Sequence, residues 1–182
     1  FVVNSGAGQI AATMATQLLI SQLNVDLIVN FGIVGGLTQE MSLVKTCIVE
    51  SVVHYEFDTS EVDGSDVGRY LAYPSIYIPT TKEVVDRALS IEPSLKKVIC
   101  ASGDKFIGQK EKKEELHNIF KADICEMEAA AIVLTCNKNE VPCLLIKTVS
   151  DSVEGGAIEF KNTFDESARV CLEVTIAILD RL

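Results

Sequence analysis

The chain has 182 residues, of which 48% are hydrophobic, and a formal net charge of −10 at pH 7. This length and composition suit one folded domain with a sizeable core and argue against a disordered chain. The acidic charge argues against a nucleic-acid partner. The chain has no apolar run of the roughly 18 residues that span a membrane and no basic start typical of a signal peptide. We therefore expect a cytoplasmic protein.

Strand-like and helical segments alternate along the chain. In order they are a strand stub FVVN, a helix GQIAATMATQLLISQL, strands VDLIVNFG and LVKTCIVESVVHY, a helix TTKEVVDRALSI, a strand KKVICASG, a charged and exposed helix KEKKEELHNIF, a strand ADICEM, a helix EAAAIVLTCNKN, a strand VPCLLIKTVSD and a final helix TFDESARVCLEVTIAILDRL. Thr80 or Thr81 is the expected N-cap of the second helix. This alternation predicts an α/β layered fold with a largely parallel sheet covered on both faces.

Two further patterns complete this description. The stretch from Phe57 to Pro79 is rich in Asp, Gly, Ser and Tyr, which predicts a long surface loop of the kind that is often functional or lies at an interface. The six cysteines form no CxxC pairs and most lie inside apolar segments. They are therefore predicted to be reduced core thiols, not disulfide or zinc ligands.

Polar residues and glycines cluster where the predicted strands end. The clusters are Ser5–Gly8, Gly32–Gly36, Ser102–Asp104, Glu126–Glu128 and Ser150–Asp151. Each alone has a structural explanation: glycines permit turns, Ser-Asp suits an N-cap, and acidic residues favour a helix N-terminus. Because ligands bind beyond the carboxyl ends of strands in such sheets, five clusters together predict one binding crevice.

Four of these segments carry a family resemblance. NFGIVGGL, ASGDKFI, CEMEAAAI and VPCLLIKTVSD, in that order, resemble the nucleoside phosphorylase/nucleosidase superfamily, and most closely its 5'-methylthioadenosine/S-adenosylhomocysteine nucleosidases. The resemblance implies a three-layer α/β/α sandwich around a twisted mixed sheet. It also implies cleavage between purine N9 and ribose C1', a role in methionine salvage, no cofactor or metal, and a homodimer. In that homodimer, Tyr70 and Tyr73 of the long loop would lie near the neighbouring subunit's pocket.

The resemblance also assigns the Glu-Met-Glu motif to the sugar. Glycosidic cleavage passes through an oxocarbenium-like state, which a nearby carboxylate stabilises. Glu128 is expected to accept hydrogen bonds from the ribose hydroxyls, Met127 to pack under the ribose, and Glu126 to help bind it. The resemblance also places four further residues in the nucleoside pocket: Ile33, Val34, Gly35 and Lys147.

The Ser-Asp motif is assigned to the base. Asp151 is expected to be the general acid that protonates purine N7, with Ser150 orienting it, because a purine leaves poorly as an anion. In this superfamily an aspartate here accompanies adenine, whereas asparagine accompanies 6-oxopurines. Phe106 is expected to stack on the base, and Ile107 to present its backbone to the purine edge.

The choice between hydrolysis and phosphorolysis depends on the anion site. Phosphorylases of the superfamily place an arginine before the glycine turn where this chain has Asn30 and Phe31. Lys147 stands where the nucleosidases usually carry arginine, and one lysine lacks arginine's bidentate fork. Water is therefore the expected nucleophile.

Three departures from the family pattern leave alternatives open. The chain starts some way inside that pattern, so we expect an N-terminal segment, which carries a water-positioning glutamate in the family, to be missing from residues 1–182. Ile33 replaces a frequent serine, and Lys147 replaces the arginine. The alternatives are a purine nucleoside phosphorylase and a catalytically weak nucleoside-binding protein of the same fold.

Overall fold

The computed structural model describes residues 1–182 and contains six helices and six strands. They are α1 (Gln9–Leu23), β1 (Ile28–Gly36), β2 (Thr46–His54), α2 (Ser60–Asp63), β3 (Ile78–Pro79), α3 (Lys82–Ile91), β4 (Lys96–Ser102), α4 (Lys110–Phe120), β5 (Ile124–Glu126), α5 (Ala129–Lys138), β6 (Cys143–Asp151) and α6 (Gly156–Leu179). The predicted alternation of strands and helices is confirmed, apart from a few local differences. None of the helices is both long enough and apolar enough to cross a membrane.

The strands form one mixed sheet in the order β3-β2-β4-β5-β1-β6, with a further pairing between β2 and β6. The pairings β1–β6, β2–β4 and β4–β5 are parallel, and the other three are antiparallel. Because β2 and β6 also pair, five of the strands close into a ring, which the twist of neighbouring strands permits. The α/β fold with a mixed sheet is thus confirmed.

Strand β6 lies at the centre of the protein. It pairs with β1 on one side and β2 on the other, and α6 packs against it. All nine of its residues are buried, including the polar ones at its carboxyl end. All six cysteines are also buried, as predicted for core thiols. A strand enclosed in this way holds its last two residues, Ser150 and Asp151, in a rigid position.

Several local predictions were wrong. The segment FVVN forms no strand. The final helix begins at Gly156 instead of Thr163, because Gly156 adopts a φ of +54° that lets the chain pass close to the carbonyl of Gly108. Thr81 does occupy the N-cap position of α3, as predicted, but its hydroxyl accepts a hydrogen bond from the backbone N–H of Cys143 (2.9 Å) and makes no capping hydrogen bond to the helix. The predicted loop after Phe57 contains the short elements α2 and β3.

Candidate functional site

A cavity of about 250 Å³ lies at the carboxyl ends of β1, β5 and β6. Its lining residues are Ala7, Ile33, Val34, Gly35, Lys105, Phe106, Ile107, Cys125, Glu126, Met127, Glu128, Ser150, Asp151, Phe160 and Phe164. Of the predicted site residues, all except Lys147 line this cavity. The structure therefore brings Glu128 and Asp151 to one pocket, as the strand-end clusters predicted.

The carboxylate of Asp151 is held from two sides. It is 1% exposed. The hydroxyl of Ser150 donates to Oδ1 of Asp151 at 3.0 Å and also lies 3.2 Å from the carbonyl oxygen of Val34. The ammonium of Lys113 lies 2.5 Å from Oδ2 of Asp151. Ser150 thus orients Asp151 as expected, and the lysine is an additional partner.

Lys113 was missed at the level of sequence, where its helix was predicted to be exposed. The side chain of Lys113 is fully buried. The signal was present in the helical period, because Lys113, Leu116 and Phe120 are the buried residues of α4 and are spaced by three and four positions. Because this segment carries many charged residues, the whole helix was predicted to be exposed, although Lys113 lies on its buried face.

Glu128 stands at the N-cap position of α5 with its carboxylate towards the cavity. Its Oε1 accepts a hydrogen bond of 2.7 Å from the backbone N–H of Gly8. Burial, and then the neighbouring carboxylate of Glu126, raise the pKa of Glu128 above its usual value. The glycine turn before α1 therefore helps to fix the carboxylate of Glu128, because Gly8, at a φ of +94°, directs its backbone N–H towards that carboxylate.

Glu126 has a structural role in addition to lining the cavity. Its carboxylate oxygens accept hydrogen bonds from the backbone N–H groups of Glu128 (3.0 Å) and Ala129 (2.9 and 3.0 Å), at the start of α5. These groups are among the unsatisfied donors of a helix N-terminus. The predicted contact of Glu126 with ribose is therefore not needed to explain its position.

Lys147 does not line the cavity, which corrects its prediction as a substrate-binding residue. The side chain is 2% exposed, and its Nζ lies 3.3 Å from Oε2 of Glu126. Burial opposes the charge of Lys147, but the carboxylates of Glu126 and Glu128 keep its pKa raised. Lys147 thus forms an ion pair with Glu126 in the core, because β6 directs the Lys147 side chain into the core and not into the pocket.

Aromatic side chains form one part of the cavity wall. Phe106 is 49% exposed and contacts Phe160 edge-to-face, with ring centroids 5.3 Å apart; Phe160 contacts Phe164 in the same way at 5.6 Å. Ile107 continues this wall. Phe160 was missed because the predicted final helix began after it, and Phe164, which lies inside that predicted helix, was not assigned to the site. Their spacing of four residues suits one helix face. The wall offers a flat ligand a face to stack on.

These features agree with the comparisons with known proteins. The sequence model of the Phosphorylase superfamily matches residues 1–182. The chain belongs to this superfamily, and the resemblance found in its motifs is confirmed.

Within this superfamily, the chain is similar over nearly its whole length to several named nucleosidases. The chain is 29% identical to the 5'-methylthioadenosine/S-adenosylhomocysteine nucleosidase of Shewanella pealeana, over 100% of this chain and 81% of the relative. It is 28% identical to an aminodeoxyfutalosine nucleosidase of Helicobacter pylori, over 100% of this chain and 80% of the relative. The solved futalosine hydrolase of Helicobacter pylori superposes with a TM-score of 0.92 at 27% identity, covering 98% of this chain and 78% of the other.

Proposed function

We propose that the protein hydrolyses the N-glycosidic bond of adenine nucleosides of the 5'-methylthioadenosine or S-adenosylhomocysteine type, releasing adenine and a free ribosyl sugar. The observation that carries this proposal is the placement of Glu128 and Asp151 in one cavity. The relatives that are named as nucleosidases support it. Such a reaction fits a cytoplasmic role in methionine salvage.

The mechanism follows from the two carboxyl groups and the aromatic wall. Phe106 stacks on the purine, and Asp151 gives a proton to N7 as the C1'–N9 bond breaks and its electron pair moves to the base. Glu128 accepts hydrogen bonds from the ribose hydroxyls and stabilises the cationic sugar, above the apolar side chain of Met127. Water then bonds to C1' and releases a proton.

The charges around the cavity favour water over phosphate as the nucleophile. Lys105 is the one basic residue of the lining, and its Nζ lies 2.6 Å from Oε1 of Glu56. Lys147 is paired with Glu126 behind the cavity wall. Both lysines therefore have carboxylate partners, and neither offers the bidentate contact that arginine gives a phosphate.

Adenine release from 5'-methylthioadenosine in phosphate-free buffer tests this proposal. We expect turnover that added phosphate does not increase. Turnover that rises from near zero with phosphate and yields a ribose 1-phosphate would indicate a phosphorylase. Tight binding of the nucleoside without release of adenine would indicate a nucleoside-binding protein. S-adenosylhomocysteine and aminodeoxyfutalosine, assayed in parallel, would rank the 5'-substituents.

We also propose a homodimer with the Phe57–Pro79 segment at its interface. The two tyrosines expected there face their own subunit: the hydroxyl of Tyr70 lies 2.8 Å from Nδ1 of His54, and that of Tyr73 accepts from Asn137 at 3.2 Å. The large apolar side chains of this segment that remain exposed for an interface are Val62, which is 89% exposed, and Leu71, which is 75% exposed.

Sedimentation at micromolar concentration tests the homodimer. We expect a particle of twice the chain mass of 19.8 kDa. Leu71→Asp should shift the protein towards monomer, because it places a charge in a desolvated interface. Ile119→Asp, at an exposed position of α4, is the matched control and should leave the dimer unchanged. A wild-type protein that sediments as a monomer would contradict the proposal.

A further inference from the structure

The buried ammonium of Lys113 makes three short polar contacts at the end of β6. Its Nζ lies 2.5 Å from Oδ2 of Asp151, 3.3 Å from the carbonyl oxygen of Asp151 and 2.6 Å from that of Ser152. We propose that Lys113 is a positioning residue that fixes the carboxyl group of Asp151 and supplies the proton that Asp151 gives to the purine. This inference rests on the proposed function, in which Asp151 is the general acid.

Stability alone does not account for this ion pair. Both side chains are removed from water, and the desolvation of two buried charges offsets most of their attraction. Apolar residues of similar volume in such places are often as stable as the pair they replace. The other lysines of α4, Lys110 and Lys112, are exposed and pair with carboxylates at the surface. A buried pair at the base of a cavity is thus better explained by chemistry.

The surroundings leave Lys113 as the one cation in contact with Asp151. From β1, Gly35 has no side chain, and a Cβ there would lie 3.2 Å from Oδ2 of Asp151 and 3.5 Å from Nζ of Lys113. From β5, Cys125 approaches the same space, and burial raises the pKa of this thiol to about 12, so that it stays neutral. Glu128, from the start of α5, shares the cavity.

The remaining neighbours are polar or are bonded elsewhere. Ser150 donates to Oδ1 of Asp151. From α6, the carboxylate of Glu159 accepts hydrogen bonds from the backbone N–H (2.6 Å) and hydroxyl (2.7 Å) of Ser152. Ser150 and Lys113 thus each hold one oxygen of Asp151, which fixes the plane of the carboxyl group.

The proton transfer balances without another reactant. When a nucleoside fills the cavity and displaces water, a charged pair becomes more costly relative to a neutral one. The Nζ–H bond of Lys113 then breaks and an O–H bond forms on Asp151, leaving an amine and a carboxylic acid of the same total charge. The carboxyl O–H breaks as N7–H forms, and the proton released by the attacking water balances the one that the pair has given up.

The split between kcat and KM separates this role from a purely structural one. In Lys113→Gln the amide can still donate a hydrogen bond to Asp151, but it has no ammonium proton to pass on. We expect kcat to fall by ~10²-fold with KM changed little, because the loss falls on proton transfer in the transition state and not on nucleoside binding. Lys113→Met, of similar length, is the second variant and should show the same loss. Lys112→Gln, one residue away on the exposed face, is the control and should match wild type.

Two outcomes would overturn the inference. The first is a wild-type kcat in a folded Lys113→Gln or Lys113→Met variant. The second is a loss that appears in KM at least as much as in kcat, which a purely structural role of Lys113 in shaping the pocket predicts. In each case adenine release by the wild type, and its loss in Asp151→Asn, would leave the proposed function intact. A wild type that releases no adenine would refute both.

Discussion

Asp151→Asn is expected to lower kcat for adenine release from 5'-methylthioadenosine by ~10²-fold or more, a barrier increase of roughly 3 kcal/mol. Asparagine keeps the shape of aspartate and can still accept from Ser150, which now donates to Oδ1 at 3.0 Å. It has no carboxyl proton to give to N7. The lost contribution therefore appears in kcat, while the KM for the nucleoside changes modestly. Steady-state kinetics at one pH measure both constants.

Three further measurements show whether the loss of activity in Asp151→Asn is specific. The amide of asparagine can hydrogen-bond a 6-oxopurine, so the residual activity should shift towards inosine relative to adenosine. Lys113 loses its carboxylate partner, so thermal unfolding should be recorded and the kinetics measured well below the midpoint. Asp180→Asn, at the exposed end of α6, should behave as wild type. Wild-type turnover by Asp151→Asn on adenine nucleosides would refute the general-acid assignment.

Glu128→Gln should lower kcat/KM by ~10²-fold or more, because the amide lacks the negative charge that stabilises the cationic sugar in a cavity lined mostly by apolar residues. Its Oε1 can still accept the 2.7 Å hydrogen bond from Gly8, so the turn before α1 should keep its position. Kinetics with 5'-methylthioadenosine measure the loss. Glu83→Gln, an exposed change on α3, is the control. A Glu128→Gln variant with unchanged kcat/KM would remove Glu128 from the mechanism.

The stability of Glu128→Gln should change in the opposite direction to its activity. Burial and Glu126 raise the pKa of Glu128 in the folded state. A carboxyl group with a raised pKa stabilises the fold below its unfolded pKa, and this contribution is lost as pH rises through the folded value. Glutamine avoids that loss. Urea unfolding should therefore show the variant gaining stability relative to wild type between pH 4 and pH 7, and a relative loss would contradict this account.

The order of elements was predictable because local patterns determine it. Apolar runs of strand length and apolar residues at helical spacing specify β1, β2, β4, β5, β6 and the longer helices, and they do not depend on distant residues. The meeting of Glu126–Glu128 with Ser150–Asp151 was also predictable from the rule that ligands bind at the carboxyl ends of strands. The structure achieves it differently from a parallel sheet, because the short strand β5 pairs antiparallel with the carboxyl-terminal residues of β1. These inferences needed only the pattern and the general rule for such folds.

The features that escaped prediction depend on contacts between distant segments. The closing pair of β2 and β6 joins Thr46 to Thr148, and no local pattern encodes that partnership. Lys113 reaches a residue 38 positions away, so its role appears only when α4 packs against the end of β6. Lys147 looked available to a ligand because its strand ends at the pocket, but the alternation of side chains along the strand directs it to Glu126.

Hydrolysis in ¹⁸O-labelled water, with phosphate present, tests the central claim most directly. If Asp151 and Glu128 promote attack by water on C1', mass spectrometry of the products from 5'-methylthioadenosine should show unlabelled adenine and a free sugar that carries ¹⁸O. A sugar 1-phosphate without the label, or no cleavage of the nucleoside at all, would contradict the account.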